Sequence, residues 1–304
     1  MKSDLEEKCV HGSPLFPFQY FHSRKDPSVK IFVPCHWHTN IEIVFVEKGP
    51  LRIVTDGISR TGQTGDIFFF NSEQLHQING TKVDNSLYSF VFSLSMLNFQ
   101  ENDYVQNTLI EPLCRERFFP PQLSPQAPCY ADVCRELNEL RCLSISRPAA
   151  YQLIIKAELY RLLAILEQHD QFIPGVRQFS RGHSQTALRL KKVLQYIAEH
   201  YKENISLNQA AAVMHMTPKY FSNYFSSNLH INFVQYLNRY RIEQASILLQ
   251  TTDLPVMEVA FESGYENFSY FIRRFKEFQG CTPSDYRKNL NQTETTEDKP
   301  HSVL

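Results

Sequence analysis

Between Ile31 and about Phe92 the apolar residues fall into short runs: Ile41–Val46, Leu51–Thr55, Ile67–Phe70 and Leu87–Phe92, separated by Gly49-Pro50, Asp56-Gly57 and the stretch Gly62 to Gly65. Short β-branched and aromatic runs with turn residues between them predict strands, and several at this spacing predict a small β-barrel. The segment 111–128 carries Pro112, Pro120, Pro121, Pro125 and Pro128, which predicts a loop-rich exit without a regular element. Beyond it the period lengthens. Leu137, Leu140 and Leu143, then Leu153, Ile154, Leu159, Leu162, Leu163 and Leu166, recur at helical intervals and predict two helices broken near Ser144 to Pro148. Residues 169–186 are polar, with Pro174, Gly175 and Gly182, and read as a linker. Leu188 to Tyr201 then opens an amphipathic helix, and Asn232 to Gln250 reads as one rod of roughly 27 Å at 1.5 Å per residue.

Within this C-terminal part the chain repeats itself. Tyr220-Phe221 matches Tyr270-Phe271, Phe225 matches Phe275 and Tyr236 matches Tyr286, always fifty residues apart. Each copy starts with a short apolar stretch (Leu207 to Met214; Val256 to Gly264), breaks, and resumes as a helix with an aromatic pair and a Phe four positions on. That is the outline of a helix-turn-helix written twice. Phe221 with Phe225, and Phe271 with Phe275, share one helical face, which turns the residues between them outward.

Composition narrows the class. Of 304 residues, 42% are hydrophobic and 13% aromatic, which excludes a disordered or fibrous chain. No run of 18 apolar residues could span a membrane, and the first twelve residues lack an apolar signal segment, so a cytoplasmic protein is expected. Seven cysteines, none paired as CxxC, suggest neither a disulfide framework nor a zinc knuckle. The net charge of −1 conceals an asymmetry: residues 189–290 hold 12 Lys+Arg against 9 Asp+Glu, residues 1–180 hold 17 against 20. The basic excess lies on the repeats, as contact with phosphates would require.

The repeats resemble the AraC-type family of bacterial transcription regulators over about 100 residues, from Leu188 to Lys288. Tyr236-Leu-Asn-Arg-Tyr-Arg-Ile-Glu-Gln-Ala245 is similar to the family's linker helix. Val259 to Tyr265, Tyr270 to Pro283 and Tyr286-Arg287 resemble its C-terminal signature. The resemblance implies two helix-turn-helix motifs joined by a long helix, presented to successive major grooves about 34 Å apart. In the first motif Thr217-Pro218 starts the recognition helix, and Lys219, Ser222, Asn223 and Ser226 face outward. In the second, Glu266 and Asn267 start it, and Ser269, Ile272, Arg273 and Lys276 face outward. The expected DNA contacts are therefore Lys219, Ser222, Asn223, Asn267, Ser269, Ile272, Arg273 and Lys276. Arg273 is suited to guanine, Asn223 to adenine and Ile272 to a thymine methyl. The paired aromatics are expected in the core, and Arg241 and Arg287 at the surface, solvated or touching phosphate. Asn223 stands where the family commonly has Arg, so the first motif should read different bases or bind more weakly. Gly280 suits the left-handed end of the second recognition helix, whereas His230 at the matching place should cost some stability.

In the N-terminal part, His36-Trp-His38-Thr-Asn-Ile-Glu42 followed by Gly49 fits the first cupin motif. Gly65-Asp66 with His76 resembles the second, although Asn71 and Glu73 replace its usual Pro and Gly. Adjacent strands of a barrel can aim His36, His38, Glu42 and His76 at one spot. Three readings stay open: a metal-free pocket for a sugar-like or other polar effector, a divalent metal site of the Zn, Mn, Fe or Ni kind, or a structural remnant. Trp37 should face away from the two histidines and pack.

The expected fold is α+β: a cupin-like barrel (1–128), a helical pair for dimerisation (129–169), a linker (170–186), an all-α domain of two helix-turn-helix motifs joined by a long helix (187–290) and a disordered acidic tail (291–304). The expected function is a sequence-specific transcription regulator, more often an activator by the resemblance. Its expected partners are double-stranded promoter DNA, a small-molecule effector, RNA polymerase and a second copy of the chain, with no membrane and no required cofactor. The competing readings are a ligand-independent DNA binder with a vestigial barrel and a metal-dependent cupin enzyme carrying a DNA-binding domain.

Overall fold

The structure is a computed structural model, and it describes residues 12–13, 15–23, 30–174 and 181–288. The expectations for the N-terminal segment and the acidic tail lie outside these residues. The chain divides into two compact units, the first ending at Leu188 and the second beginning at Arg189.

The first unit holds two antiparallel sheets. The strands are β1 (Phe18–His22), β2 (Phe32–His36), β3 (Ile41–Lys48), β4 (Leu51–Thr55), β5 (Ile58–Gly62), β6 (Ile67–Phe70), β7 (His76–Gly80), β8 (Ser86–Phe92), β9 (Arg117–Phe118), β10 (Gln122–Leu123) and β11 (Ile173–Pro174). One sheet runs β1-β8-β3-β6-β10 and the other β2-β7-β4-β5. Strand alternation explains why β6, Ile-Phe-Phe-Phe, is buried throughout. Phe68 and Phe70 join Val44, Val46, Leu51, Ile53, Ile78 and Leu87 between the sheets. Ile67 and Phe69 face the other way, into a cluster with Ile43, Phe90 and Phe92. That second cluster is closed by α2 (Tyr130–Ser146) and α3 (Tyr151–Gln168) through Val133, Leu137, Leu140, Ile155, Leu159, Leu162, Leu163 and Leu166. Each such fully buried Leu or Phe contributes roughly 1.5–3 kcal/mol of transfer free energy.

Two expectations are corrected here. Segment 111–128 is not free of regular structure. A helical turn at Gln106–Ile110 continues into α1 (Glu111–Arg115), with Pro112 as its second residue. Farther on, β10 pairs with β6, and Asn71 fastens the intervening loop by accepting from the Phe119 N–H at 2.9 Å. The expected linker is also shorter: β11 pairs with β9, and α4 (Arg181–His200) already begins at Arg181. Residues 175–180 of the expected span lie outside the described residues.

The second unit is all helical. After α4 come α5 (Leu207–Val213), α6 (Pro218–Leu229), α7 (Phe233–Thr251), α8 (Val256–Glu262) and α9 (Phe268–Gln279), followed by a helical turn at 283–288. No helix among the described residues is long and apolar enough to cross a membrane.

Candidate DNA-reading face and barrel cluster

The two repeats fold as copies. Phe225 meets Tyr236 edge-on with centroids 5.6 Å apart at 77°, and fifty residues later Phe275 meets Tyr286 at 5.5 Å and 79°. Phe221–Phe225 and Phe271–Phe275 repeat at 5.5 and 5.7 Å. Each recognition helix is capped as its first residues dictate: Thr217 Oγ1 accepts from the Tyr220 N–H at 3.4 Å, and Asn267 Oδ1 accepts from the Tyr270 N–H at 2.8 Å. The tight turn before α9 depends on Gly264. Its φ is +87°, and an added Cβ would lie 2.5 Å from the Tyr201 carbonyl oxygen. His230 and Gly280 both take left-handed conformations, at φ 52° and 80°, so the histidine occupies the conformation that the repeat demands.

With the phenylalanines anchored, the outward faces are set. Lys219 and Asn223 on α6, and Asn267, Ser269, Arg273 and Lys276 at the start and along α9, are exposed; Ser222 and Ser226 are half-buried. Arg273 lies with its guanidinium carbon 5.2 Å from the Tyr270 ring centroid, a platform that restrains the side chain at the surface. Ile272 is half-buried and packs against the second core, so less of it faces outward than periodicity alone implied. The Asn267 oxygen is engaged in capping, which leaves its amide NH₂ the group to offer outward.

Three residues depart from expectation. Tyr220, taken with Phe221 as core, is 58% exposed beside Lys219, so only the second member of that pair is an anchor. Arg241 donates to the carbonyls of Tyr201 and Glu203, at 2.7 Å each. Arg287 donates to those of Leu249, Thr252 and Leu254. Both guanidiniums satisfy backbone acceptors at helix and loop ends, whereas the sequence reading had them solvated or touching phosphate.

In the barrel, the four predicted side chains come together. His36 ends β2 and pairs directly with His76, the first residue of β7; Glu42 lies near the start of β3, opposite Phe70; His38 is in the connection between β2 and β3. Neither strand was legible as such: β2 is interrupted by Pro34, and β7 is mostly polar. One oxygen of Glu42 lies 3.3 Å from His38 Nε2 and 3.1 Å from His76 Nε2, and the rings of His36 and His76 are 4.2 Å apart. Phe70 stacks on His76 at 4.2 Å and 10°. The turn between β6 and β7 holds the assembly, since the Glu73 N–H donates to the His38 carbonyl at 2.7 Å. Glu73 adopts φ 61°, taking the place and the backbone conformation of the glycine it replaces. Trp37, between the two histidines in sequence, is buried.

Burial and repulsion by His36 push His76 down to about 4. Burial would raise Glu42, but the contacts with His38 and His76 outweigh it and hold the carboxyl well below its ordinary 4.5. At neutral pH a carboxylate thus faces an uncharged His76. Donor atoms of all four side chains lie within 4.8 Å of one another, close enough for one metal ion.

Comparison with known proteins agrees with the repeats. Residues 210–289 match the profile of a family described as a helix-turn-helix domain. The HTH-type transcriptional regulator YdeC of Bacillus subtilis is 24% identical over 94% of this chain and 96% of its own length. YdiP of Escherichia coli, also an HTH-type transcriptional regulator, is 27% identical over 84% of this chain and 81% of its own. Residues 210–289 thus carry a helix-turn-helix domain of the AraC type. Among solved structures, the C-terminal domain of the response regulator YesN from Fusobacterium nucleatum is 34% identical over 31% of this chain and 93% of that one, with a TM-score of 0.30. As an AraC-type regulator the protein acts by binding DNA, and the cupin-enzyme reading falls away because its full-length relatives are regulators.

Proposed function

We propose that this AraC-type protein is an effector-responsive, sequence-specific regulator, acting as a homodimer and activating transcription in contact with RNA polymerase. In this reading Lys219, Ser222, Asn223, Asn267, Ser269, Ile272, Arg273 and Lys276 meet DNA, with Tyr220 added by its exposure. The barrel is the sensing unit, and its effector is taken up at His36, His38, Glu42 and His76. The α2–α3 pair is the dimerisation element, supported by Ile145 and Leu153, 68% and 69% exposed on that pair. The observation that carries the reading is the duplicated, capped recognition helix with a polar outer face, in one chain with a barrel that buries a histidine–carboxylate constellation. An effector in the barrel would favour the arrangement of two chains that matches two half-sites.

The test is to incubate full-length protein with sheared genomic DNA of its host at physiological salt, where non-specific phosphate binding is weak, and to sequence what is retained. A few sites sharing a paired motif are expected, and Arg273→Ala should lose them. Retention of DNA without any shared motif, at every salt concentration, would overturn the reading.

A further inference from the structure

One face of α9 alternates cations and aromatic rings. Arg273 and Arg274 hold their guanidinium carbons 5.2 and 5.7 Å from the centroid of the same Tyr270 ring. Arg274 also lies 5.0 Å from the centroid of Phe278, and Arg239, reaching over from α7, lies 5.1 Å from it. The order Arg239, Phe278, Arg274, Tyr270, Arg273 thus runs from the long helix to the base reader, each step within the roughly 6 Å at which a cation is attracted to a ring face. The helical period explains the placement. Tyr270, Arg274 and Phe278 are spaced four apart, so they lie one above the other on α9. Arg274 also forms an ion pair with Glu277 at 2.6 Å, and its buried Nε has no hydrogen-bond partner among the described residues, so Glu277 and the two rings fix its head.

The first repeat shows that the fold does not require this arrangement. Fifty residues earlier the same places hold Tyr220, Asn223, Tyr224 and Asn228, with no cation among them. The rings of Tyr220 and Tyr224 stand 6.4 Å apart, and the Asn228 amide donates back to the Tyr224 carbonyl. Tyr220 is 58% exposed where Tyr270 is half-buried. Yet α6 keeps the length of 12 residues, the N-cap and the two buried phenylalanines of α9. The series of arginines and rings therefore serves something other than helix formation.

Glu277 adds a second consequence. It stands four residues beyond Arg273, a spacing at which an acid and a guanidinium meet across one helical turn. An Arg273 paired in that way would lose its charge and the two donors that guanine takes. In the folded chain Glu277 is occupied by Arg274. We infer that Arg274 is a positioning residue that reserves Arg273 for its base pair: it holds the Tyr270 ring on which Arg273 rests, and it keeps Glu277 from Arg273. The inference rests on the reading of Arg273 as a base reader and adds what sets that reader's specificity.

The test uses the full chain with the DNA site it selects, and with sites altered at the base pair where Arg273→Ala relaxes the preference. Arg274→Ala should lower the preference at that base pair roughly 3- to 5-fold, the scale of one cation–ring contact. It should leave the other positions within about 2-fold, and change almost nothing when Arg273 is already alanine. Adding Glu277→Gln to Arg274→Ala should recover about half of the loss or more, a rescue that an arginine serving only stability would not give. Arg274→Lys keeps a cation for Glu277 and should retain more of the preference than Arg274→Ala, and thermal unfolding of each variant checks that it folds. Additive losses from Arg273→Ala and Arg274→Ala, equal weakening at every base pair, or no rescue by Glu277→Gln would overturn the inference while leaving Arg273 as a base reader. An unchanged preference in Arg273→Ala would remove the base reader, and this inference with it.

Discussion

Arg273 and Asn223 occupy matching places in the two recognition helices, yet their chemistry differs in strength. A guanidinium donates two hydrogen bonds to guanine and keeps its charge near phosphates; an amide contributes one donor and one acceptor to adenine and no charge. Tyr270 beneath Arg273 restrains the side chain before DNA arrives, which lowers the entropy lost on binding. Arg273→Ala is therefore expected to weaken binding to the selected site by about 1–3 kcal/mol, roughly 5- to 150-fold, and to relax the preference at one base pair. Asn223→Ala should cost less. Equal losses in a binding titration would deny the asymmetry between the motifs. At the helix ends the repeat offers an internal control. His230 holds φ 52° where Gly280 holds 80°. His230→Gly should stabilise the second unit by about 0.5–1 kcal/mol in chemical denaturation, and a loss of stability would mean that the imidazole contributes a contact outweighing its backbone strain.

At the scale of elements, the α2–α3 pair carries a charge arrangement that links its stability to pH. Glu136, 1% exposed, accepts from Arg161 at 3.1 Å. A hydrogen bond with Glu136, and then burial, push Glu158 up to about 7 from an ordinary 4.5. Arg135, Arg161 and Glu139 are the other charged groups facing the pair, and the arginines only partly offset the repulsion. Between pH 4.5 and 7 the folded chain holds a proton that the unfolded chain has released, so stability falls as pH rises through that window and levels above it. Glu158→Gln keeps a donor toward Glu136 without the charge. It should raise stability at pH 8 by about 1 kcal/mol, after discounting for partial exposure, and change little at pH 5; a pH-independent effect in thermal melts would exclude the shared proton. Much at this scale was readable from the sequence. The fifty-residue repeat dictated α6, α7 and α9 because the same phenylalanines must face the same kind of core. Two strands that hold the barrel histidines were not readable: β2, Phe-Val-Pro-Cys-His, contains a proline, and β7, His-Gln-Ile-Asn-Gly, is mostly polar. The pairing of β2 with β7, and of β7 with β4, supplies what their own composition does not. Arg241 and Arg287 were illegible for another reason, because their carbonyl partners lie 33 to 40 residues away.

For the whole molecule, the decisive comparison is between the chain and its C-terminal part. The two helix-turn-helix motifs share one helical unit, so residues 187–290 contain every group assigned to DNA. The surplus of 12 Lys+Arg over 9 Asp+Glu in residues 189–290 is small, so electrostatic attraction alone cannot supply tight binding at physiological salt. In the proposed homodimer the N-terminal unit would add a second copy: two linked DNA-binding units would face paired half-sites at an effective concentration on the order of millimolar, worth roughly 10²- to 10⁴-fold in avidity without any new contact. The full chain should therefore bind a paired site at least about 100-fold more tightly than residues 187–290, while the two bind a single half-site alike. Gel-shift titrations on paired and single sites measure both ratios, and Leu153→Glu, which places a charge on the exposed apolar face of α3, should bring the full chain down to the fragment's affinity on the paired site. Equal affinity of chain and fragment on paired sites would instead make the barrel and its helical pair vestigial for DNA binding, leaving the duplicated motif to act alone.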